Sequence, residues 1–173
     1  EPISLIHFIT NRCNARCSFC FIDFNHPDIF KQELSIQEIK KLTTQLGRSL
    51  LNVNLTGGEP FARKDIIDIA KAYIDNTTIQ SMYITTNGSL PDRILNFAKE
   101  INNYSKELEL TFQISIDDMP KEHNKVRKID NLFENCLKSY NLLKNLKINN
   151  VNPIISITVS HENCDNIRNI FQF

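Results

Sequence analysis

Three cysteines lie within eight residues of one another near the start of the chain, at Cys13, Cys17 and Cys20. Their spacing is C-x3-C-x2-C, and they follow an apolar run, residues 3–9, that has the composition of a short β-strand. Thiolates this close together can bind one iron–sulfur cluster, which proteins usually hold through cysteine. Three ligands leave one iron of a four-iron cluster without a protein ligand and open to a small molecule.

Two other uses of these thiols have to be weighed. A disulfide pair is one, although five cysteines leave one over and the absence of a secretion signal favours reduced thiols. A structural zinc site is the other, and it needs a fourth ligand, which His7 or His26 can supply. The cysteines alone leave these alternatives open.

Size and charge narrow the class of protein. The 173 residues suit one domain, and a formal net charge of zero argues against a general nucleic-acid or membrane-surface binder. No apolar run approaches the roughly 20 residues of a membrane span and no signal peptide is recognisable, so we expect a cytoplasmic protein. Because the chain begins without Met and stops inside a helical pattern, we also expect it to be part of something longer.

Predicted strands and helices alternate along the chain. This alternation favours βαβ crossovers and an α/β fold with a parallel sheet, and strand starts that recur about every 30 residues match a (β/α) barrel. About five βα units are present, with a polar link over residues 119–130. We predict strands at 3–10, 51–56, 81–85, 108–116 and 153–159, and helices at 36–46, 65–75, after 91, at 131–146 and near the end.

Short motifs with unusual composition follow the predicted strands. T-G-G-E-P occupies residues 56–60, T-T-N-G residues 85–88 and S-I-D residues 115–117. The chain has only four glycines, so those in the motifs are expected where the backbone turns sharply or approaches a ligand. Active sites of barrels lie at the C-terminal ends of the strands. We therefore predict that the cysteines and these motifs share one rim of the fold.

The same motifs, in this order, resemble those of the radical S-adenosylmethionine (SAM) superfamily. The resemblance rests on the cysteine motif with Phe19 before its last Cys, on G-G-E-P-F-x-R-K-D at 57–65, on T-T-N-G and on S-I-D. It covers nearly the whole chain and is closest to the branch with a C-terminal SPASM or twitch extension, whose members often act on peptides. It implies that residues 1–173 are the core domain of such an enzyme, a partial barrel of six strands whose last unit is missing here.

The resemblance also implies the cofactors. A [4Fe–4S] cluster would be held by Cys13, Cys17 and Cys20, with SAM on the open iron through its amino and carboxylate groups. The reduced cluster cleaves SAM to a 5′-deoxyadenosyl radical, which abstracts a substrate hydrogen. The implied partners are an electron donor and a substrate, either a peptide or a small metabolite. The alternative from another class is a non-catalytic zinc- or iron–sulfur-binding module.

A first set of SAM-binding residues follows from the G-G-E-P motif. Gly57 and Gly58 are expected to let the backbone come close to the methionine end of SAM. Glu59, or its neighbouring carbonyls, is expected to accept hydrogen bonds from the SAM amino group.

A second set lies after the fourth strand and in the cysteine loop. Ser115 and Asp117, two residues apart and therefore on one face of a strand, are expected to hold the ribose hydroxyls. Arg127 is expected to pair with the SAM carboxylate, and Phe19 to pack on the adenine. Relatives often have glycine at the positions of Asp118 and Lys128.

The remaining candidates have weaker signals. Asn87 is either a turn residue before Gly88 or a residue that orients SAM or substrate. Cys136 is expected to be a small core residue on a helix. No role is assigned to the cysteine and the three histidines that we place in loops, namely Cys164, His26, His123 and His161.

Overall fold

A parallel five-stranded β-sheet forms the centre of the protein, in a computed structural model that describes residues 2–31 and 33–172. The strands lie in chain order and each pairs in parallel with its neighbour. The strands are β1 (Ser4–Thr10), β2 (Asn52–Gly57), β3 (Ser81–Thr86), β4 (Glu109–Ser115) and β5 (Val151–Ser156). The helices are α1 (Ile36–Leu46), α2 (Ile66–Asn76), α3 (Pro91–Tyr104), α4 (Pro120–Arg127), α5 (Leu132–Lys144) and α6 (Ile167–Gln172).

The apolar core lies between the helices and one face of this sheet. Alternate residues of β2, β3 and β4 are fully buried there, which is the period that a strand imposes. Across the described residues, no helix has the length and the apolar character needed to cross a membrane. The largest buried side chains of the core include Tyr73, Phe61, Phe97, Phe112, Leu55 and Ile84.

The opposite face of the sheet is polar in its central strands and partly exposed, whereas the outer strands place Ile6, Phe8 and Ile154 on it. Residues of β2, β3 and β4 that alternate with the core residues carry amide and hydroxyl groups, and Thr85 Oγ1 lies 2.7 Å from the acceptor Gln113 Oε1 and 3.2 Å from Asn54 Oδ1. This polar face continues into the rim formed by the strand ends.

The predicted α/β architecture with five strand–helix units is confirmed. Residues 35–38 have the S-x-x-E pattern of a capping box, and the box is present at the start of α1: Ser35 Oγ accepts the backbone N–H of Glu38, and the Glu38 carboxylate accepts the backbone N–H of Ser35. Gly47 ends this helix with a φ of +67°. A sixth strand stays a prediction.

Two elements differ from the sequence prediction. β5 covers Val151–Ser156 rather than residues 153–159, and its Pro153 is tolerated because β5 is an outer strand of the sheet. The predicted polar link over 119–130 contains the helix α4. Its buried residues are His123 and Arg127, so no apolar periodicity marks it in the sequence.

Candidate active site

The ends of β1 to β4 surround a cavity of about 270 Å³. The structure brings most of the predicted site residues together here, although the motifs are far apart in the sequence. Glu59 and Asp117 are not among its lining residues, since both are buried behind its wall. The predicted residues that line the cavity are Cys13, Cys17, Cys20, Phe19, Gly57, Gly58, Ser115 and Arg127.

The cysteine loop is a compact turn with its three thiols facing that cavity. The backbone N–H of Cys20 donates to the carbonyl of Cys17 at 3.1 Å, and Cys13 Sγ accepts the N–H of Ala15 at 3.3 Å. All five cysteines of the chain are free thiols, so the disulfide alternative has no counterpart in the structure.

Burial opposes the deprotonation of two of the thiols. Burial raises the pKa of Cys13 and of Cys17, and the guanidinium of Arg127 acts in the opposite direction on Cys17. Iron binds the thiolate, so binding has to supply the free energy that deprotonates these buried thiols.

The three thiols share one cavity without converging on a single point. In residues 2–31 and 33–172, no group of three or more His, Cys, Asp or Glu side chains converges closely enough to hold one metal ion. The three thiols nevertheless line one cavity. Thiolates that bind different irons of one cluster lie further apart than the four ligands of a tetrahedral zinc ion.

The two glycines after β2 allow two chain segments to touch. A Cβ at Gly57 would lie 2.2 Å from the carbonyl oxygen of Thr10, and a Cβ at Gly58 would lie 2.3 Å from that of Arg12. The N–H groups of Gly58 and Glu59 donate to the same two oxygens, each at 2.7 Å. The space that the missing side chains leave is therefore taken by the backbone that leads into the cysteine loop.

Glu59 connects the end of β2 to the end of β3. Its Oε1 accepts the N–H of Phe61 and the hydroxyl of Thr86, at 3.0 and 2.8 Å, and its Oε2 accepts the N–H of Asn87 at 2.7 Å. Burial raises the pKa of Glu59, and these hydrogen bonds act against the shift. Glu59 is thus engaged within the protein and does not line the cavity, whereas Gly57 and Gly58 do.

Asp117 and Arg127 form a buried ion pair. Arg127 Nε donates to Asp117 Oδ2 at 2.6 Å, while Asp117 Oδ1 accepts the N–H of Thr158 at 3.0 Å. The structure thus separates Asp117, behind the wall, from Ser115, which faces the cavity. The Arg127 guanidinium carbon lies 5.7 Å from the centre of the Phe19 ring.

Lys128 ends α4 in the left-handed conformation, with a φ of +56°. Relatives often have glycine here, which adopts this conformation without a steric cost. A lysine pays roughly 1 kcal/mol at such a position, and the backbone still takes the turn.

The other candidates occupy different environments. Asn87 is buried and its Nδ2 donates to Asn14 in the cysteine loop at 2.9 Å, while its Oδ1 caps the turn at Ser89. Cys136 is fully buried beside Gly88, as expected for a core residue. The side chains of Cys164, His26 and His161 are exposed.

Two residues were missed from the sequence. His123, assigned to a loop, is completely buried on α4, and the signal for that helix was Pro120 at its first turn with Glu122 behind it. Arg63 donates to the carbonyls of Ile9 and Leu34 and to both oxygens of Asp65. The sequence feature that could have indicated a role for Arg63 is its position in the motif G-G-E-P-F-x-R, residues 57–63.

A family model described as the radical SAM superfamily matches residues 8–173. The chain belongs to the radical SAM superfamily. Members of this superfamily use a [4Fe–4S] cluster and SAM, and the donor set around the cavity suits both.

Relatives with known names fall into more than one branch of the superfamily. GTP 3′,8-cyclase of Haemophilus influenzae is 31% identical over 135 residues, which are 75% of this chain and 37% of that protein. The sporulation killing factor maturation protein SkfB of Bacillus subtilis is 28% identical over 176 residues, which are 99% of this chain and 39% of that protein. The chain thus spans well under half the length of these relatives.

The fold matches solved structures of this superfamily. The structure of native anSMEcpe with bound AdoMet and the Kp18Cys peptide superposes with a TM-score of 0.71 at 21% identity, over 100% of this chain and 48% of that chain. This likeness confirms the fold, the partial barrel of the radical SAM type.

Proposed function

We propose that this chain is the catalytic core of a radical SAM enzyme that modifies a peptide. The observation that carries the proposal is the cavity where three free cysteines, the Gly57–Gly58 turn and Arg127 meet at the strand ends. A [4Fe–4S] cluster held by Cys13, Cys17 and Cys20 would supply the one electron that splits SAM into methionine and a 5′-deoxyadenosyl radical. The protein supplies position and the exclusion of water.

The roles of the residues follow from their contacts. Cys13, Cys17 and Cys20 hold the cluster, and the carbonyls of the Gly57–Gly58 turn accept the SAM amino group. Arg127 keeps guanidinium N–H groups free for the SAM carboxylate, because only its Nε donates to Asp117 among the described contacts. Ser115 is the ribose-binding group that reaches the cavity, and Asp117 acts on SAM indirectly, by holding Arg127. Phe19 lines the adenine side.

A peptide substrate is supported by two observations. SkfB is a maturation protein for a killing factor and matches 99% of this chain, whereas the match to GTP 3′,8-cyclase stops at 75%. The polar face of the sheet, with Asn54, Thr85 and Gln113, continues from the cavity, since Thr85 lines both. Amide and hydroxyl groups in a row suit the many donors and acceptors of a peptide backbone.

The cellular setting follows from the same chemistry. Reduced thiols and a cluster need a reducing compartment, which supports a cytoplasmic setting. An electron-donor protein is the second partner, because the cluster has to be reduced for each cleavage.

Deuterium transfer tests the substrate class. The reduced, reconstituted protein is incubated with SAM and, separately, with a deuterated synthetic peptide library and with deuterated GTP. We expect deuterium in 5′-deoxyadenosine from the peptides and none from GTP, and no 5′-deoxyadenosine from the Cys13→Ala variant. Transfer from GTP without transfer from peptides would overturn the proposed substrate.

A further inference from the structure

The C-terminal end of α4 holds the middle of the cysteine loop. The backbone N–H of Arg16 donates to the carbonyl of Arg127 at 3.1 Å, and that of Ser18 donates to the carbonyl of Val126 at 3.2 Å. Cys17 lies between the two donors. Carbonyls in the last turn of a helix have no partner within the helix, so the loop satisfies them. The place of Cys17 therefore depends on where α4 ends.

α4 is attached to the molecule through polar groups. Its buried residues are His123 and Arg127, which are four positions apart and so lie on one face. Lys121 and Lys125 are exposed on the other side. A helix without an apolar face is held in place by its hydrogen bonds and its ion pair rather than by hydrophobic burial.

His123 makes the first of these attachments. Its Nδ1 accepts the backbone N–H of Asp117 at 3.1 Å, so the ring proton is on Nε2, which lies 3.8 Å from Cys136 Sγ. The ring packs edge-on against Phe133, with centroids 6.0 Å apart. Burial lowers the pKa of His123 to about 4, so the ring is a neutral acceptor at neutral pH.

Asp117, which His123 contacts, is itself hydrogen-bonded to other elements. Its carboxylate binds Arg127 and the N–H of Thr158, and its carbonyl accepts Asn163 Nδ2 at 2.8 Å. The end of β4, the loop after β5 and α4 therefore meet at one residue. His123 fixes the main chain of that residue, while Arg127 fixes its side chain.

We propose that His123 is a positioning residue, which fixes α4 against Asp117 and thereby sets Cys17 and Arg127 in their places around the cavity. The inference rests on the proposed function, because it gives Cys17 and Arg127 their ligands. If His123 only filled space, a different result would be expected: any ring of similar size could replace it without effect on the cysteine loop.

Two substitutions separate the acceptor from the ring. His123→Asn keeps an acceptor close to the position of Nδ1, whereas His123→Phe keeps the ring and leaves the N–H of Asp117 without a partner. His26→Phe is the matched control, since His26 Nδ1 accepts the N–H of Asp28 at 3.2 Å in an exposed turn.

The first readout needs no cofactor. Amide hydrogen exchange is measured over residues 14–20 in the folded protein. We expect the exchange of this segment to be faster in His123→Phe, close to wild type in His123→Asn, and unchanged in His26→Phe. Equal exchange in His123→Phe and wild type would contradict the proposal.

The second readout is SAM binding to the reconstituted protein, followed through the change in the EPR spectrum of the reduced cluster. We expect about tenfold weaker binding in His123→Phe, the effect of one buried hydrogen bond of ordinary strength, and near wild-type binding in His123→Asn. If wild type itself shows no SAM effect, the proposed function fails. If wild type responds and His123→Phe responds equally, the positioning role alone fails.

A third variant covers a folding failure. If His123→Phe does not fold, His123→Gln takes its place, because its amide ends near the Nε2 position and also leaves the Asp117 N–H unpaired. Exchange and SAM binding in His123→Gln that match His123→Asn would overturn the proposal.

Discussion

At the scale of single residues, the glycines after β2 show how a motif serves packing and ligand binding together. The Cβ atoms missing at Gly57 and Gly58 would collide with backbone oxygens of the segment that enters the cysteine loop. Backbone has no flexible end that can move aside. The G-G pair therefore positions the cysteine loop as well as the turn that we assign to SAM.

Gly58→Ala is expected to lose cluster as well as SAM. The added Cβ lies 2.3 Å from the carbonyl of Arg12, so the loop has to shift, at about 1–3 kcal/mol for overpacking. Iron content after reconstitution and the free energy of unfolding by urea measure both effects.

Gly47→Ala is the control for this prediction. Apart from its chain neighbours, no atom lies within 4 Å of its added Cβ, and its cost is that of a backbone conformation that is almost restricted to glycine, about 1–3 kcal/mol. We expect its iron content to stay at the wild-type level. A Gly58→Ala protein with full iron and unchanged SAM binding would show that the loop adapts.

At the scale of elements, the sequence predicts those features that the periodicity of apolar residues determines. The strands, α1 with its capping box and the rim position of the motifs follow from alternating apolar residues and from the geometry of a parallel sheet. The burial and the hydrogen bonds of Glu59 and Asp117 do not follow from periodicity, because their partners lie in distant parts of the chain. These partners are Thr86, Asn87 and Thr158. Helix α4 could not be predicted from periodicity for a related reason, since its buried residues are a histidine and an arginine and not apolar residues.

Arg63 gives a prediction at this scale, because it connects three elements. Its guanidinium reaches the end of β1, the segment before α1 and Asp65 at the start of α2. Lysine has one compact ammonium group and cannot replace this fork. We expect Arg63→Lys to destabilise the protein by about 2–3 kcal/mol, measured by urea unfolding.

Arg48→Lys is the comparison for Arg63→Lys. Arg48 is exposed, and we expect a change within about 0.5 kcal/mol. Equal stability of the two variants would mean that the carbonyls of Ile9 and Leu34 do not need the guanidinium.

At the scale of the whole molecule, a neutral chain folds into a sheet with one apolar and one polar face, and its functional groups collect at one edge. The apolar face is a consequence of the strand period. The polar face carries the groups that we assign to substrate binding. The same alternation that builds the core therefore also builds the surface that would contact the substrate.

The stability of this molecule should depend on pH through His7, which is half-buried on β1. Burial, and then Arg63, lower the pKa of His7 to about 4, and its Nδ1 lies 2.9 Å from the hydroxyl of Tyr73. Below about pH 6.5 the unfolded chain binds the proton and the folded chain does not. The free energy of unfolding therefore falls on acidification, by up to about 1.4 kcal/mol per pH unit for this residue, until about pH 4.

The His7→Asn variant isolates the contribution of His7 to the pH dependence of stability. The difference in unfolding free energy between wild type and His7→Asn is measured in urea from about pH 7 to about pH 5, which cancels groups such as Glu59. We expect the difference to shift against wild type as the pH falls, because only wild type carries the histidine whose pKa is lowered. A flat difference for His7→Asn would mean that His7 takes up its proton in the folded state.

The central claim is that Cys13, Cys17 and Cys20 hold a four-iron cluster that binds and cleaves SAM. The most direct test is anaerobic reconstitution with iron and sulfide, followed by metal analysis and by EPR of the reduced protein with and without SAM. We expect about four irons per chain, an EPR signal that changes on SAM addition, 5′-deoxyadenosine on reduction, and loss of all three when any of the three cysteines is changed to Ala. Stoichiometric zinc in place of iron, or a full cluster that survives one of these substitutions and ignores SAM, would contradict it.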